Sequence, residues 1–569
     1  MFSDMKPAEK RLLEACQKGE VLDLGNERPK VKIDDNEIRG EFLRTLILSD
    51  NQEIEESNKK YILKIDPKGI RFSGVYISGI FDFSFCSTEI PFSFINSVFE
   101  NEIILNDSKI KILYLSGSQV NGVNAQGLFC QSQIFINNVK SIREINFISA
   151  QIDGSLICSN SKFTRVLDKS YEGKSYLVKD GKLKNKEMIT LNLSSAKING
   201  NVLLDKKFIS KGEVSFTSAQ IEGGVICSDA KFVNKNKKAL SFNSAKINGN
   251  VFLKENFCIS GDLDFSASKI RKISISKKIR IKGNLLFSLM TVDTINIFNI
   301  SFDEKYLKKL GLDGLSYNHL SGTNLDSKTL LQWLEKMPEF KPQPYKQLAK
   351  VLRNMGHNED ANNIMIKYND IITGNAENWF IKKLKQIYGF TAGYGYKPMR
   401  VLVTMFSIWF FCSLFYLYAS QVAIFAPSDT LVFQNLKYKS SINKCGVPLK
   451  NFNWSEIFYI NINEVCIESK MNIVVQNKKL DKNQNWTTNQ NLDGEYTTFS
   501  PYWYSLDILL PIVDLQMDKD WGVFISPINS DITLNHVTRW IVWFEILFGW
   551  IYSLILVAIL SGLAKNEKD

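Results

Sequence analysis

AQIDGSLICSNSKF (150–163), AKINGNVLLDKKF (196–208), AQIEGGVICSDAKF (219–232) and AKINGNVFLKENF (245–257) follow one pattern. Ala is followed by Ile two residues on and Gly four residues on. Val or Leu comes at six, Cys or Leu at eight, and Phe at twelve or thirteen. The alternation has period two, so each unit predicts a short strand with one buried face. The units start 46, 23 and 26 residues apart, and the 46-residue interval holds the polar insert Asp168–Glu187. Self-similarity at such a period is the mark of stacked repeats, each burying its inner face against its neighbours.

Upstream the period tightens to five: Ile70, Val75, Ile80, Phe85, Ile90 and Ile95 are all apolar. This suits a chain that turns a corner every few residues and keeps a side chain inward. The segment resembles pentapeptide-repeat proteins, whose coils form a right-handed, four-sided β-helix. The resemblance implies a mainly β fold, a quadrilateral β-helix followed by a small helical domain and two transmembrane helices.

The repeat decides two tempting motifs. Cys158 and Cys227 share a template position with Leu204 and Leu253, so they are expected in the core rather than as reactive thiols. Gly154, Gly200, Gly223 and Gly249 recur once per unit with no helix or GK[ST] after them, which predicts tight bends and not a phosphate loop.

The chain has 569 residues and a net charge of +11. Nine Cys are too few for a disulfide scaffold, and three scattered His (319, 357, 536) do not compose a metal site. No cofactor is expected, since no GxGxxG fingerprint, CxxC pair or metal cluster is present. Residues 1–25 hold no apolar stretch of a cleavable leader. The positive charge falls on residues 1–400, which argues against an acidic DNA mimic. A basic rod of this kind meets anionic lipid, nucleic acid or an acidic protein, or simply solvates its surface; no specific nucleic acid is expected.

Two long apolar runs change the location. Val401–Ser428 carries no charge, and Trp540–Ala564 is interrupted only by Glu545. Each is long enough to span a bilayer, and Trp and Tyr cluster in both. The flank Ile381–Arg400 has Lys382, Lys383, Lys385, Lys397 and Arg400 and no acid, which predicts a cytoplasmic amino-terminal region. Both termini then lie on that side. Cys445 and Cys466 fall in the expected exterior loop and are candidates for a disulfide.

The expected organisation is a helical cap (1–60), a β-solenoid (61–302), a helical neck with a juxtamembrane amphipathic helix (303–396), a first span (397–428), an exterior loop domain (429–538), a second span (539–564) and a short tail (565–569). In the neck, Asp326 or Ser327 is placed to cap a helix, Pro344 suits a first helical position and Gly356 a stop. Trp379, Phe380, Leu384, Ile387 and Tyr388, mixed with three Lys, predict a basic amphipathic helix at the membrane surface. Thr391–Gly395, TAGYG, resembles a potassium filter but precedes the first span, so a turn is expected there.

Three acids are the candidate functional residues. Glu545 is a carboxylate inside a span, which is costly and therefore informative. Its place six residues into the run predicts a level near the headgroups and pairing with Arg539 or solvation there; the alternative is a role in helix assembly or ion passage. Asp507 and Asp514 lie in an apolar patch, Tyr502–Leu515, too short to span and broken by Pro511; an interfacial or re-entrant segment is expected.

The segments AEKRLLEACQKGEVLDLG (8–25), KGIRFSGVYISGIFDFS (68–84), KPQPYKQLAKVLRNMGHNEDA (341–361), YGYKP (394–398) and YSLDILLPIVDLQ (504–516) together resemble a family of bacterial membrane proteins with amino-terminal pentapeptide-like repeats. Its members are often labelled membrane-associated oxidoreductases. The resemblance implies a multi-pass protein of the bacterial inner membrane. It brings no catalytic residues onto this sequence, and no enzyme motif supports the label. The leading expectation is an interaction scaffold whose partners are the bilayer, an unidentified protein or a second copy. The alternatives are an ion-conducting oligomer gated by the solenoid and, by label only, an oxidoreductase.

Overall fold

The computed structural model describes residues 2–56, 59–165, 188–276, 279–297, 307–322, 325–429, 432, 485–488, 492, 496–525 and 532–561. The chain divides into two compact units, Met1–Ile364 and Met365–Asp569.

The first unit is a parallel β-solenoid of about nine turns. The tightest coil runs through Ile103–Ile104, Lys109–Ile110, Leu113–Tyr114 and Gln119–Val120, after which Val123 pairs with Ile103. One coil is thus four five-residue sides. Each side sends two residues inward, two apart: Ile103 and Leu105, Ser108 and Ile110, Leu113 and Leu115, Ser118 and Val120. A five-residue side fits because the alternating pair needs three residues and the corner takes the other two.

The expected inward positions are corrected at the start of the rod. Ile70 and Val75 are fully buried, whereas Ile80 and Phe85 are 53% and 80% exposed. The corner at Ser78–Ile80 holds one extra residue, and Phe81 and Phe83 turn inward instead. With a period of two, a slip of one exchanges the faces.

The 46-residue interval is one coil and not two, because Gln151 pairs with Lys197 across the insert and Lys197 with Gln220. From Lys231 onward the corners open. Strands of seven to eleven residues, such as Lys246–Leu253 and Cys258–Asp264, replace pairs of short ones. Phe163, Phe208, Phe232 and Phe257, the last residue of each repeat, form an inner column with ring centroids 5.2, 5.7 and 5.7 Å apart. Cys158 and Cys227 sit in the core with Leu204 and Leu253, all at 0% exposure, and burial pushes both thiols up.

Gly154, Gly200 and Gly223 sit at bends, as expected, Gly249 lies within a strand, and all four have a second constraint. Gly154, Gly200, Gly223 and Gly249 do not adopt a left-handed backbone. They stack: a Cβ on Gly200 would lie 2.6 Å from the Gly154 carbonyl oxygen, one on Gly223 2.4 Å from that of Gly200, and one on Gly249 2.3 Å from that of Gly223. The coils approach so closely at this corner that backbone atoms of the neighbouring coil occupy the place of a Cβ, which only glycine permits.

The two ends of the solenoid are closed differently. At the start, α1 (Pro7–Lys18) and α2 (Gly40–Leu48) bury Leu12, Phe42, Leu43 and Leu46, and the strands Leu22–Asp23 and Glu37–Arg39 extend the ladders by pairing with Ile70–Ser73 and Tyr76–Ser78. Glu9 is fully buried and accepts from the Arg39 guanidinium at 2.9 and 2.8 Å and from the Arg39 and Lys6 amides at 3.0 and 2.9 Å. At the far end, Leu307–Gly311 and Ser316–Ser321 carry the ladders past residue 302. Helices α3 (Ser327–Leu334) and α4 (Pro342–Asn354) follow. Asp326 caps α3 by accepting from the Thr329 amide at 3.1 Å. α4 opens on Pro342 rather than Pro344, and Gly356 ends it with φ 86°. α5 (Asn358–Gly374) comes next.

Two measurements check this unit. Gly223→Ala forces a methyl into the carbonyl beneath it and is expected to destabilise by about 2 kcal/mol in chemical denaturation; an unchanged midpoint contradicts the glycine column. Burial raises the Glu37 carboxyl, but hydrogen bonds from Lys6 (2.5 Å) and Ser78 more than offset this and hold it below the ordinary carboxylate range. Its contribution is complete above that range and is lost as pH falls through the depressed value. Proteolysis within residues 2–48 is therefore expected to accelerate below about pH 4, and Lys6→Met to flatten that dependence. A cap equally resistant at acid pH in both proteins contradicts the assignment.

Candidate functional site

The second unit is built on α6 (Trp379–Ala392), α7 (Pro398–Gln421), α8 (Pro501–Leu509), α9 (Met517–Asp520) and α10 (Leu534–Leu560). α7 and α10 have 24 and 27 residues, about 36 and 40 Å of helix. Both are long and apolar enough to cross a membrane. Only 33% and 17% of their most apolar windows are buried. A core helix of a water-soluble protein is covered on most sides; these two leave Phe406, Phe411, Trp543, Phe544, Leu547 and Leu554 bare.

Their buried faces meet in a polar seam. On α7, Val401, Met405, Cys412, Tyr416 and Ala419 recur at helical spacing; on α10, Thr538, Glu545, Tyr552 and Ile559 recur every seven residues. Glu545 is fully buried at the centre of three helices. The Tyr416 hydroxyl of α7 donates to Oε2 at 2.7 Å, and the Ser505 hydroxyl of α8 donates to Oε1 at 2.5 Å. The Cys412 thiol also faces the carboxyl.

The structure corrects the expected pairing of Glu545 with Arg539. That guanidinium donates to the Val523 carbonyl at 2.8 Å instead. Arg539 and Glu545 are six residues apart, which turns them about 120° away from each other around a helix. Four residues on from Glu545, Gly549 lets α8 close on α10: a Cβ there would lie 2.2 Å from the Leu509 carbonyl oxygen. A further pair, Tyr552 hydroxyl to Thr391 Oγ1 at 2.9 Å, ties α10 to the end of α6.

The TAGYG segment is the stop of α6. Gly393 takes the left-handed conformation (φ 55°), and the Tyr394 hydroxyl donates to Asp370 at 2.9 Å.

A second group of acids comes from α8, the turn after it and α9. Asp507 is buried and accepts from the Leu515 and Asp518 amides at 2.7 and 3.0 Å, which folds the chain back after Pro511. Asp507, Asp514 and Asp518 each place a carboxylate oxygen within 4.8 Å of the others, an arrangement of hard oxygen donors. Lys519 pairs with Asp514 and holds its carboxyl below the usual range. Partial burial, and then the proximity of Asp507, raise Asp518. These acids line one end of a cleft of about 480 Å³ whose other wall is Trp543, Ile546 and Trp550. Asp507 and Asp514 are thus brought together, but with Asp518, which the sequence did not single out.

Beyond α7, Phe425–Pro427 pairs antiparallel with Trp521–Val523, and Trp486, Phe499 and Tyr504 pack on this pair. The proposed disulfide partners Cys445 and Cys466 lie outside the described residues. The sequence also missed Tyr416 and Ser505 as partners of Glu545. The heptad spacing on α10 was the available signal, since it places Glu545 on the same stripe as Tyr552.

No family model, curated protein or solved structure matches this chain.

If Glu545 joins the three helices, Glu545→Ala orphans two buried hydroxyls and is expected to cost about 2 kcal/mol, with Tyr416→Phe costing about 1. Gly549→Leu should unseat α8 and be worse than either. Thermal unfolding of the detergent-purified protein checks the order, and wild-type stability of all three variants contradicts it.

Proposed function

We propose that this protein is a membrane-anchored solenoid scaffold: α7 and α10 span a bacterial inner membrane, and the solenoid offers its outer faces to a partner on the cytoplasmic side. The observation that carries the reading is the bare apolar surface of α7 and α10, which water does not tolerate at this length. The basic flank Lys382–Arg400 supports the orientation.

The character of the partner follows from the ladders. Stacking brings side chains from successive coils into register, so Lys197, Gln220, Lys246 and Lys269 form one exposed edge, and Lys140, Lys162, Lys231 and Arg280 belong to another ladder. Cations recurring along columns with a rise of about 4.8 Å per coil, though interrupted by Gln220 in one and by Ile209 and Cys258 in the other, suit an acidic protein surface. Glu545 is fully buried and accepts from the Tyr416 and Ser505 hydroxyls, which supports a packing role over one lining an ion path.

Membrane fractionation tests the anchor. The protein is expected to stay with the membrane pellet through alkaline carbonate and high salt, and an amino-terminal epitope should be digested in inverted vesicles but not in intact spheroplasts. Release by carbonate contradicts the spans, and the opposite protease pattern contradicts the orientation.

A further inference from the structure

α6 is the most exposed apolar helix in the second unit that is too short to cross a bilayer: fourteen residues, about 21 Å. Trp379, Phe380, Ile381, Leu384, Ile387 and Phe390 are 71%, 59%, 45%, 51%, 56% and 84% exposed. At 100° per residue, Phe380, Leu384 and Ile387 centre one face, flanked by Phe390 and Trp379. Lys382 and Lys385 lie on the opposite side, and Lys383 falls between Ile387 and Phe390, where a long stem can lie along the apolar surface with its ammonium outward. The helix contains no Asp or Glu.

The end of α6 is fixed at the entry of α7. The Arg400 guanidinium donates to the Gly389 carbonyl at 3.5 Å, the Thr404 hydroxyl to the Thr391 carbonyl at 3.4 Å, and Ala392 is fully buried. Lys397 and Arg400 therefore stand at the same end as the first turn of the apolar run. At the other end the Lys382 ammonium is engaged with the Gly374 carbonyl at 2.7 Å, closing α5 onto α6. Lys383 and Lys385 remain on the exposed part of the helix.

We infer that α6 is an interfacial helix that binds anionic phospholipid headgroups, with its apolar face sunk to the acyl boundary and Lys383, Lys385, Lys397 and Arg400 against the phosphates. The apolar face alone would bind any bilayer. The all-basic polar side is what selects an anionic one, because each lysine near such a surface contributes about 5-fold in binding. The inference rests on the membrane reading above and adds the lipid class to it.

The test is hydrogen exchange of the 379–392 amides in the full chain, reconstituted in nanodiscs of phosphatidylcholine alone or with about one-third phosphatidylglycerol. Exchange is expected to be at least about tenfold slower with the anionic lipid. The difference should shrink in high salt, since it is screened over about 10 Å at 0.1 M. It should largely vanish in Lys383→Gln/Lys385→Gln, two exposed positions whose change leaves α7 and α10 untouched. Equal exchange in both lipids, or a difference that survives the double substitution, overturns the inference while leaving the anchor standing. Failure of the chain to enter nanodiscs overturns the membrane reading and the inference with it.

Discussion

A single coil of this solenoid cannot exist alone. Its strand backbone groups find partners in the coils above and below, as where the Val123 amide donates to the Glu144 carbonyl at 3.1 Å and the Ile103 amide to the Gly122 carbonyl at 3.2 Å. Its inner residues stack on the same positions of its neighbours, as Phe72 does on Phe94. Stability is therefore a sum of coil-to-coil interfaces, and the ends must be closed. The glycine column, the Phe column and the two caps follow from this constraint. The long insert is tolerated because the chain leaves one side of a coil after Thr164 and resumes on the next side at Ile189, adding no coil.

The second unit meets a different solvent problem. Its helices bury polar groups in the seam and leave apolar ones bare, the reverse of a soluble domain. Glu545 is held by hydroxyls from α7 and α8, so the short helix between the two long ones is part of the joint rather than an appendage. Gly549 sets how close that joint is. The Asp507 carboxylate of α8 organises the turn after Pro511 by accepting from backbone amides, and the cleft beside it is also lined by Trp543 and Trp550 of α10.

The stacked fold was legible in the sequence because the repeat states its own register. Ala, Ile, Gly and Phe at fixed offsets in four units map onto four successive levels of one rod. The phase was less legible. Ile80 and Phe85 continue a five-residue rhythm that the structure interrupts with one extra corner residue, and a period-two pattern carries no mark of where such a residue enters. The glycines were expected at bends, where three of the four lie, but their close approach between coils was not read, because a sequence does not separate a bend from a close approach. The two apolar helices were equally plain. Their polar seam was not, since Tyr416 and Ser505 lie 129 and 40 residues from Glu545 and nothing local joins them.

The most direct measurement of the stacked rod is a ruler along it. Gln151, Lys197, Gln220, Lys246, Lys269 and Thr291 are exposed register partners on successive levels, five steps from first to last. Spin labels at positions 151 and 291 should lie about 24 Å apart, and those at 151 and 269 about 19 Å, a rise of ~4.8 Å per level. Distances that fail to grow in proportion to the number of coils would contradict the stacked arrangement.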